Sequence, residues 1–462
     1  MAADAPAPYA RDDAESRRRE QRSWNWYDWA NSAYVTTTLT VLLTPYLTNV
    51  AKAAACPGQN TDLACHTDLH VLGVPISPGS LALYTITAAT LLSALLLPVV
   101  GAAVDRSGRK RTLLCRIAWA GSIAASAMVF IGGTRWWLGV ILALVANILL
   151  GCSLVIYDAI LVDISTPDER DAVSSRGWAF GYLGGGLLLA INLGMVSAHS
   201  SLGLSKEWAV RLSLLSAGLW WGGFTLRTYR GLRDRPPVGP DAVAGGGAVR
   251  GAFAQLWHTL KDLRHYPNTL VFLLAYLFYN DGIQTVIYAS SLFGQEELHL
   301  STDTLILTIL VVQFIGYAGA TLFGRLAGRI GAHRTVLISL ALWCLLVAIA
   351  YFVPARSAAV FLALGAGIGL VLGGSQALSR SLYSQLVPRG REAEYFSLYQ
   401  AAERGTSWFG TLMFGVIYQV TGSYRDAIVA LVVFFLLGGS LLTRVRMRDG
   451  ILEAGNALPA VV

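Results

Sequence analysis

Twelve stretches of this chain are apolar for long enough to cross a lipid bilayer, a constraint that outweighs every other in the sequence. A bilayer core takes about 20 apolar residues per helical span. In the first half the runs are Tyr27 to Val50, Leu81 to Ala103, Thr112 to Gly132, Trp136 to Val162, Ser174 to Ala198 and Ala209 to Arg227. In the second they are Asn268 to Phe293, Thr304 to Phe323, Thr335 to Val353, Ala358 to Leu382, Tyr395 to Val420 and Ala427 to Leu442. Only helices and closed barrels satisfy the backbone in lipid, and the short alternating segments of a barrel are absent. The sequence therefore predicts an all-α membrane protein with twelve transmembrane helices. Composition agrees, with 54% of residues apolar and 14% charged, roughly half the charge of a soluble domain.

A net charge of +7 would suit nucleic acid, but its placement reports topology instead. With both termini inside, about 28 of the 35 Lys and Arg lie on the cytoplasmic side, as the positive-inside rule requires. Lys52, Arg135, Lys206, Arg211, Arg356 and Arg425 fall outside, and Arg404 falls within a run. The expectation is a multi-pass protein of the cell (inner) membrane, in contact with lipid and not with nucleic acid. Residues 1–23 read as a disordered cytoplasmic tail without the apolar core of a signal peptide. Residues 24–227 and 268–443 read as two bundles, 228–267 as a cytoplasmic linker, and 444–462 as a cytoplasmic tail. The linker is rich in Pro and Gly after Arg233. Its Gly251 to Tyr266 stretch has helical spacing, either as a packed linker helix or as one lying on the membrane surface.

Between the second and third runs stands the charged loop Gly101-Ala-Ala-Val-Asp105-Arg106-Ser-Gly108-Arg109-Lys110-Arg111. A worn copy, Gly324-Arg325-Leu-Ala-Gly328-Arg329-Ile-Gly331-Ala-His333-Arg334, recurs about 223 residues later, again between apolar runs. A second pair of landmarks, Asp158 to Arg170 and Arg380 to Arg391, places Pro167 and Pro388 about 221 residues apart. Two agreeing offsets indicate a duplicated half. Six runs per half is an even number, so the halves share one orientation, related by an axis along the membrane normal.

The loop spacing G-x-x-x-D-R-x-G-R-K resembles the signature between the second and third helices of the major facilitator superfamily of transporters. The resemblance implies the major facilitator fold, with two six-helix parallel pseudo-repeats. It also implies a gating role for Gly101, Asp105, Arg106, Gly108 and Arg109, which would hold one closed state and release it in another. The second copy has Gly328 in place of Asp105, implying a weaker latch.

Ionisable groups at bilayer depth are expensive and therefore functional candidates. The third, sixth, ninth and twelfth runs carry almost none away from their ends. At about 1.5 Å per residue, Glu403 lies roughly 12 Å into its run with Arg404 just beyond, and Asp281 lies roughly 20 Å into its own. These three form the predicted central charged set, either meeting solute and protons or pairing to join two helices. Asn147 and Gln313 stand near mid-bilayer, as ligands or as interhelical hydrogen bonds. Asn280 and Asp281 precede Gly282, a glycine expected to let the helix loosen. Asp28 and Asn31 complete the candidate set, and Asp28, Asp158 and Arg380 sit near the cytoplasmic rim as gate or interface charges.

Cys56 and Cys65 share the first outward loop with Pro57-Gly58 between them, a spacing open to a disulfide, to a metal site with His66 and His70, or to two free thiols. Cys115, Cys152 and Cys344 read as small apolar residues.

The string Tyr27-Asp28-Trp29-Ala30-Asn31-Ser32-Ala33-Tyr34 resembles the entry signature of the family of fungal autophagy-related vacuolar amino-acid effluxers and their bacterial relatives. Gly181-Tyr182-Leu183-Gly184-Gly185-Gly186 is similar to that family too, although small residues in a span chiefly permit close helix packing. The resemblance extends over all twelve runs. It implies a secondary transporter of a small polar solute, in the first instance an amino acid leaving by alternating access. A buried carboxylate would then be a candidate carrier of a coupling proton. A drug or metabolite exporter of the same superfamily is the alternative within that class, and a non-transporting membrane sensor or scaffold is the alternative outside it. An enzyme is not expected: the seven histidines lie in loops or at span ends, and no G-x-x-x-x-G-K-[ST] loop is present. No cofactor or metal is called for, and the chain is expected to act as a monomer.

Overall fold

A computed structural model of the chain describes residues 13–59, 65, 67–71, 73–237, 259, 261–405 and 407–462. It is almost entirely helical. The described helices of the first half are α1 (Ala14–Tyr34), α2 (Leu43–Ala55), α3 (Pro78–Ser107), α4 (Lys110–Ala127), α5 (Trp136–Ile164), α6 (Arg170–Ser197) and α7 (Lys206–Gly231). Those of the second half are α8 (Pro267–Leu292), α9 (Thr302–Ile330), α10 (Ala332–Tyr351), α11 (Ala358–Gln385), α12 (Glu392–Gly405), α13 (Ser407–Thr421), α14 (Tyr424–Val429), α15 (Val432–Leu442) and α16 (Met447–Glu453). A two-stranded antiparallel hairpin, β1 (Leu69–Val71) and β2 (Val74–Ile76), lies between α2 and α3. Nine helical stretches of the described residues are long and apolar enough to cross a membrane.

Three of the apolar runs are not simple helices. Tyr27 to Val50 is threaded through α1, a π-helical segment at Val35–Leu42, and α2. Tyr395 to Val420 is shared between α12 and α13, and Ala427 to Leu442 between α14 and α15. The tail reading also needs correction. Helix α1 begins at Ala14, inside the stretch expected to be disordered, because Asp13 accepts a hydrogen bond from the Ser16 amide at 2.6 Å and caps it. Arg17 then anchors it to Glu169 at 3.5 Å. Most of the Gly251 to Tyr266 stretch lies outside the described residues.

Helices α1, α3, α4, α5, α6 and α7 pack on one another, and α8, α9, α10, α11 and α15 form a second group. The groups meet where α6 lies along α9 and α11, and where α12 lies along α3 and α5. Small residues permit these approaches. A Cβ at Gly184 would stand 2.7 Å from the Trp29 carbonyl oxygen and one at Gly185 2.6 Å from Thr36 Oγ1, so the glycine string of α6 seats against the first span. Gly373 similarly lets α11 close on the Gly316 carbonyl of α9.

Candidate functional site

Along the seam between the two groups runs a chain of buried polar side chains. Its hub is Arg380 on α11, 3% exposed. The guanidinium pairs with Asp28 of α1 at 3.2 Å and with Asp158 of α5 at 3.3 Å. It also donates to Ser174 Oγ of α6 at 2.9 Å and to the Ser174 carbonyl at 3.0 Å. Three aromatic rings face it, those of Trp24, Tyr157 and Trp178, with centroids 4.8, 5.2 and 5.5 Å from Cζ. A buried charge is tolerated only when paired and hydrogen-bonded, and here both carboxylates belong to the opposite helical group. The carboxylates are held in turn. Tyr157 donates its hydroxyl to Asp28 at 2.7 Å, and Gln400 donates to Asp158 at 2.8 Å.

Gln400 carries the chain onward along α12. Its amide also reaches Glu403 Oε2 at 3.3 Å, and Arg404 Nε donates to its oxygen at 3.5 Å. Among the described residues Arg404 pairs with no carboxylate. It borders Gly151 of α5, where a Cβ would stand 3.7 Å from both Arg404 Cζ and Ser93 Oγ. Ser93 is 1% exposed, and among the described residues neither its hydroxyl nor that of Tyr34 has a partner. Buried polar atoms without partners are uncommon and call for an explanation, such as a ligand.

The predicted trio is thus divided. Glu403 and Arg404 lie in the seam, but Asp281 turns to α13, where it accepts from the Gly410 amide at 2.9 Å. Its second oxygen and the nearby Thr285 hydroxyl are buried without partners among the described residues. Asn280 connects the two patches, donating to the Glu403 carbonyl at 3.3 Å and accepting from Gln376 at 3.1 Å. The helix does not loosen at Gly282. It continues unbroken to Leu292, and the missing side chain instead admits Phe434, which a Cβ would meet at 3.0 Å. Gln313 donates to Thr36 at 3.3 Å across the interface, Asn147 is buried in α5, and Asn31 bonds back to the Tyr27 carbonyl of its own helix at 2.7 Å.

The Asp105 loop reaches the same interface from its end. Asp105 accepts from the Ala393 and Glu394 amides at 3.0 and 2.9 Å, so its carboxylate caps the start of α12. Gly101 is required there, because a Cβ would lie 2.4 Å from the Ala393 carbonyl oxygen. Gly108 adopts φ 61°, a left-handed conformation that ends α3. The ion pairs fall to Lys110, which the motif reading left out: it meets Asp163 at 3.1 Å, Glu392 at 3.2 Å and Asp105 at 3.9 Å. Arg106 and Arg109 are exposed. In the worn copy, a Cβ at Gly328 would touch nothing within 4 Å. Further bonds seal this end. Arg170 donates to the Ser384 carbonyl at 2.8 Å, and Gln385 donates to the Pro167 carbonyl at 2.8 Å. Away from it, α13 packs on α8, while α12 holds to α3.

From sequence, Arg380 is expected as a gate or interface charge near the rim, while nothing there marks its companions Tyr157 and Ser174. A signal was present. Asp158 and Arg380 open the two similar sequence landmarks, 222 positions apart, and the structure joins them directly. Cys56 and Cys65 form a disulfide, and no group of side chains suited to a metal ion occurs among the described residues.

Solved structures share this fold. The transporter FucP in its outward conformation matches over 93% of this chain and 99% of its own, with TM-score 0.63 at 12% identity. The proton:xylose symporter XylE matches over 93% and 95%, with TM-score 0.65 at 13% identity. Both are major facilitator superfamily transporters, and the likeness is one of fold. The chain belongs to the family described as Vacuole effluxer Atg22 like, whose model matches residues 16–455. The MFS-type transporter YxiO of Bacillus subtilis is 28% identical over 91% of this chain and 93% of its own length. Autophagy-related protein 22 of Pyricularia oryzae is 26% identical over 98% of this chain and 80% of its own.

Proposed function

We propose that this transporter exports a small polar solute, an amino acid, across the cell membrane by alternating access, with protons as the coupling ion. The proposal includes twelve membrane helices in two parallel six-helix repeats, with both termini and the linker cytoplasmic. The observation that carries it is the buried seam from Arg380 to Arg404, whose partners lie on both helical groups. Such a seam must break and reform if the groups are to rock. In the present arrangement the Asp105-loop end is sealed, which corresponds to a state closed to the cytoplasm.

A zwitterion fits the polar groups around Arg404. Arg404, unpaired with any described carboxylate, would meet the solute carboxylate, with Ser93 and Tyr34 as neighbouring hydroxyls. Glu403 would meet the ammonium. Opening the cytoplasmic end requires Arg380 to leave Asp28 and Asp158, and a proton on either carboxylate weakens that hold. Asp281, whose second oxygen has no partner among the described residues, is the second candidate proton carrier.

Flux in proteoliposomes tests this reading, with a panel of amino acids and with and without a pH gradient. Arg404→Ala should abolish amino-acid binding. Glu403→Gln should lose pH-driven flux yet keep solute exchange, because exchange needs no net proton transfer. Normal pH dependence in Glu403→Gln, Asp281→Asn and Asp158→Asn alike would remove proton coupling. Uptake of apolar drugs in place of amino acids would move the protein to drug export, and absence of all flux would leave a sensor or scaffold.

A further inference from the structure

Outside the seam, a cleft of about 520 Å³ opens between the start of α4 and the segment that follows α7. Arg109, Thr112 and Arg116 line one side, and Tyr229, Asp234 and Arg235 the other. Its charges are not equally available. Asp234 is occupied by the Thr112 amide at 3.1 Å and by Arg111 at 3.2 Å. Arg235 is engaged by Glu20. Arg109 and Arg116 remain, both exposed and neither in an ion pair among the described residues. An anion entering the cleft meets two available guanidiniums and one carboxylate already neutralised.

The position of Arg116 identifies the anion. It lies about 9 Å along α4 from Lys110, on a helix of membrane length, and it points outward. Ala120 and Ile123 follow on the same face at helical spacing, Ile123 being 69% exposed. A cation beside a polar cleft, continued by an apolar stripe, matches a headgroup followed by an acyl chain. A guanidinium at that depth is costly unless it reaches the interface or a counter-charge, and its planar N–H fork suits phosphate oxygens.

We propose that this cleft binds the phosphate of an anionic glycerophospholipid, held by Arg116 and Arg109 with the acyl chain along Ala120 and Ile123. Basic pockets at the cytoplasmic ends of membrane helices favour such headgroups. The inference rests on the proposed topology but not on the transported solute. Its test reads lipid binding instead of flux, so either reading can fail without the other.

Native mass spectrometry of the full chain decides it, titrating phosphatidylglycerol against phosphatidylcholine with the same acyl chains. The wild type should retain phosphatidylglycerol preferentially. Arg116→Gln should lower that preference about fivefold, the effect expected for one cation near a headgroup, while Arg116→Lys should keep most of it. Arg116 makes no side-chain bond to a described residue, so the variants should melt as the wild type does. Millimolar inorganic phosphate should not displace the lipid. Equal retention of both lipids by the wild type would overturn the proposal, as would an unchanged preference in Arg116→Gln. Displacement by inorganic phosphate would overturn it too, assigning the cleft to a soluble anion.

Discussion

At the scale of single residues, Arg380 illustrates how a charge survives burial. The cost of removing a guanidinium from water is offset by two carboxylates, two acceptors on Ser174 and three ring faces. Removing the cation leaves Asp28 and Asp158 buried without it. Breaking a buried pair by deleting one partner costs on the order of 3–5 kcal/mol. Arg380→Met should therefore lower the thermal midpoint of the detergent-solubilised protein well below that of a surface Arg variant such as Arg230→Met. Adding Asp28→Asn should recover part of the loss, because one orphaned charge is gone. A melting curve unchanged in Arg380→Met would show that the seam does not hold the two helical groups together.

At the scale of elements, the Asp105 carboxylate acts on a helix rather than on a side chain. It satisfies two amide donors at the start of α12, and losing a capping interaction of that kind costs about 1 kcal/mol. That is roughly a fivefold change in the ratio of two conformations. Asp105→Asn should express normally, transport more slowly, and expose the Ser174 region to thiol reagents when a cysteine is placed there. Unchanged flux would reduce the motif to a structural turn. The glycine beside it makes a sharper test. Gly101→Leu forces side-chain atoms onto the Ala393 carbonyl and should prevent the seal from forming, whereas Gly328→Leu in the worn copy has open space and should be tolerated. Equal effects of the two substitutions would contradict the asymmetry of the copies.

At the scale of the whole molecule, bonds between the groups close the end at which the Asp105 loop lies. Helix α12 lies along α3 and α5 and also touches α8, on which α13 packs as well. In the proposed topology the positive-inside count puts the closed end at the cytoplasm. A cysteine at Gly239 should then be labelled only from the cytoplasmic side and one at Thr61 only from outside. Labelling of both from one side would reverse or dismantle the proposed topology.

Much of this was legible in the chain because a bilayer imposes a length and a polarity on every segment that crosses it. Apolar runs, a charged loop and its copy were enough to predict a helical membrane protein, and the motif's resemblance pointed to its superfamily. The Asp105 loop could be read for the same reason, since a short loop keeps its residues together. What the sequence could not show was pairing between residues far apart in the chain. It grouped Asp281 with Glu403 and Arg404 by depth, yet depth says nothing about which way a helix is rotated. Rotation in the folded bundle turned Asp281 to Gly410 and Arg380 to Asp28 and Asp158. Local composition determined which segments enter the membrane, whereas the packing of helix on helix decided which of their polar groups meet, because a side chain's direction is set by the neighbours its helix must fit against.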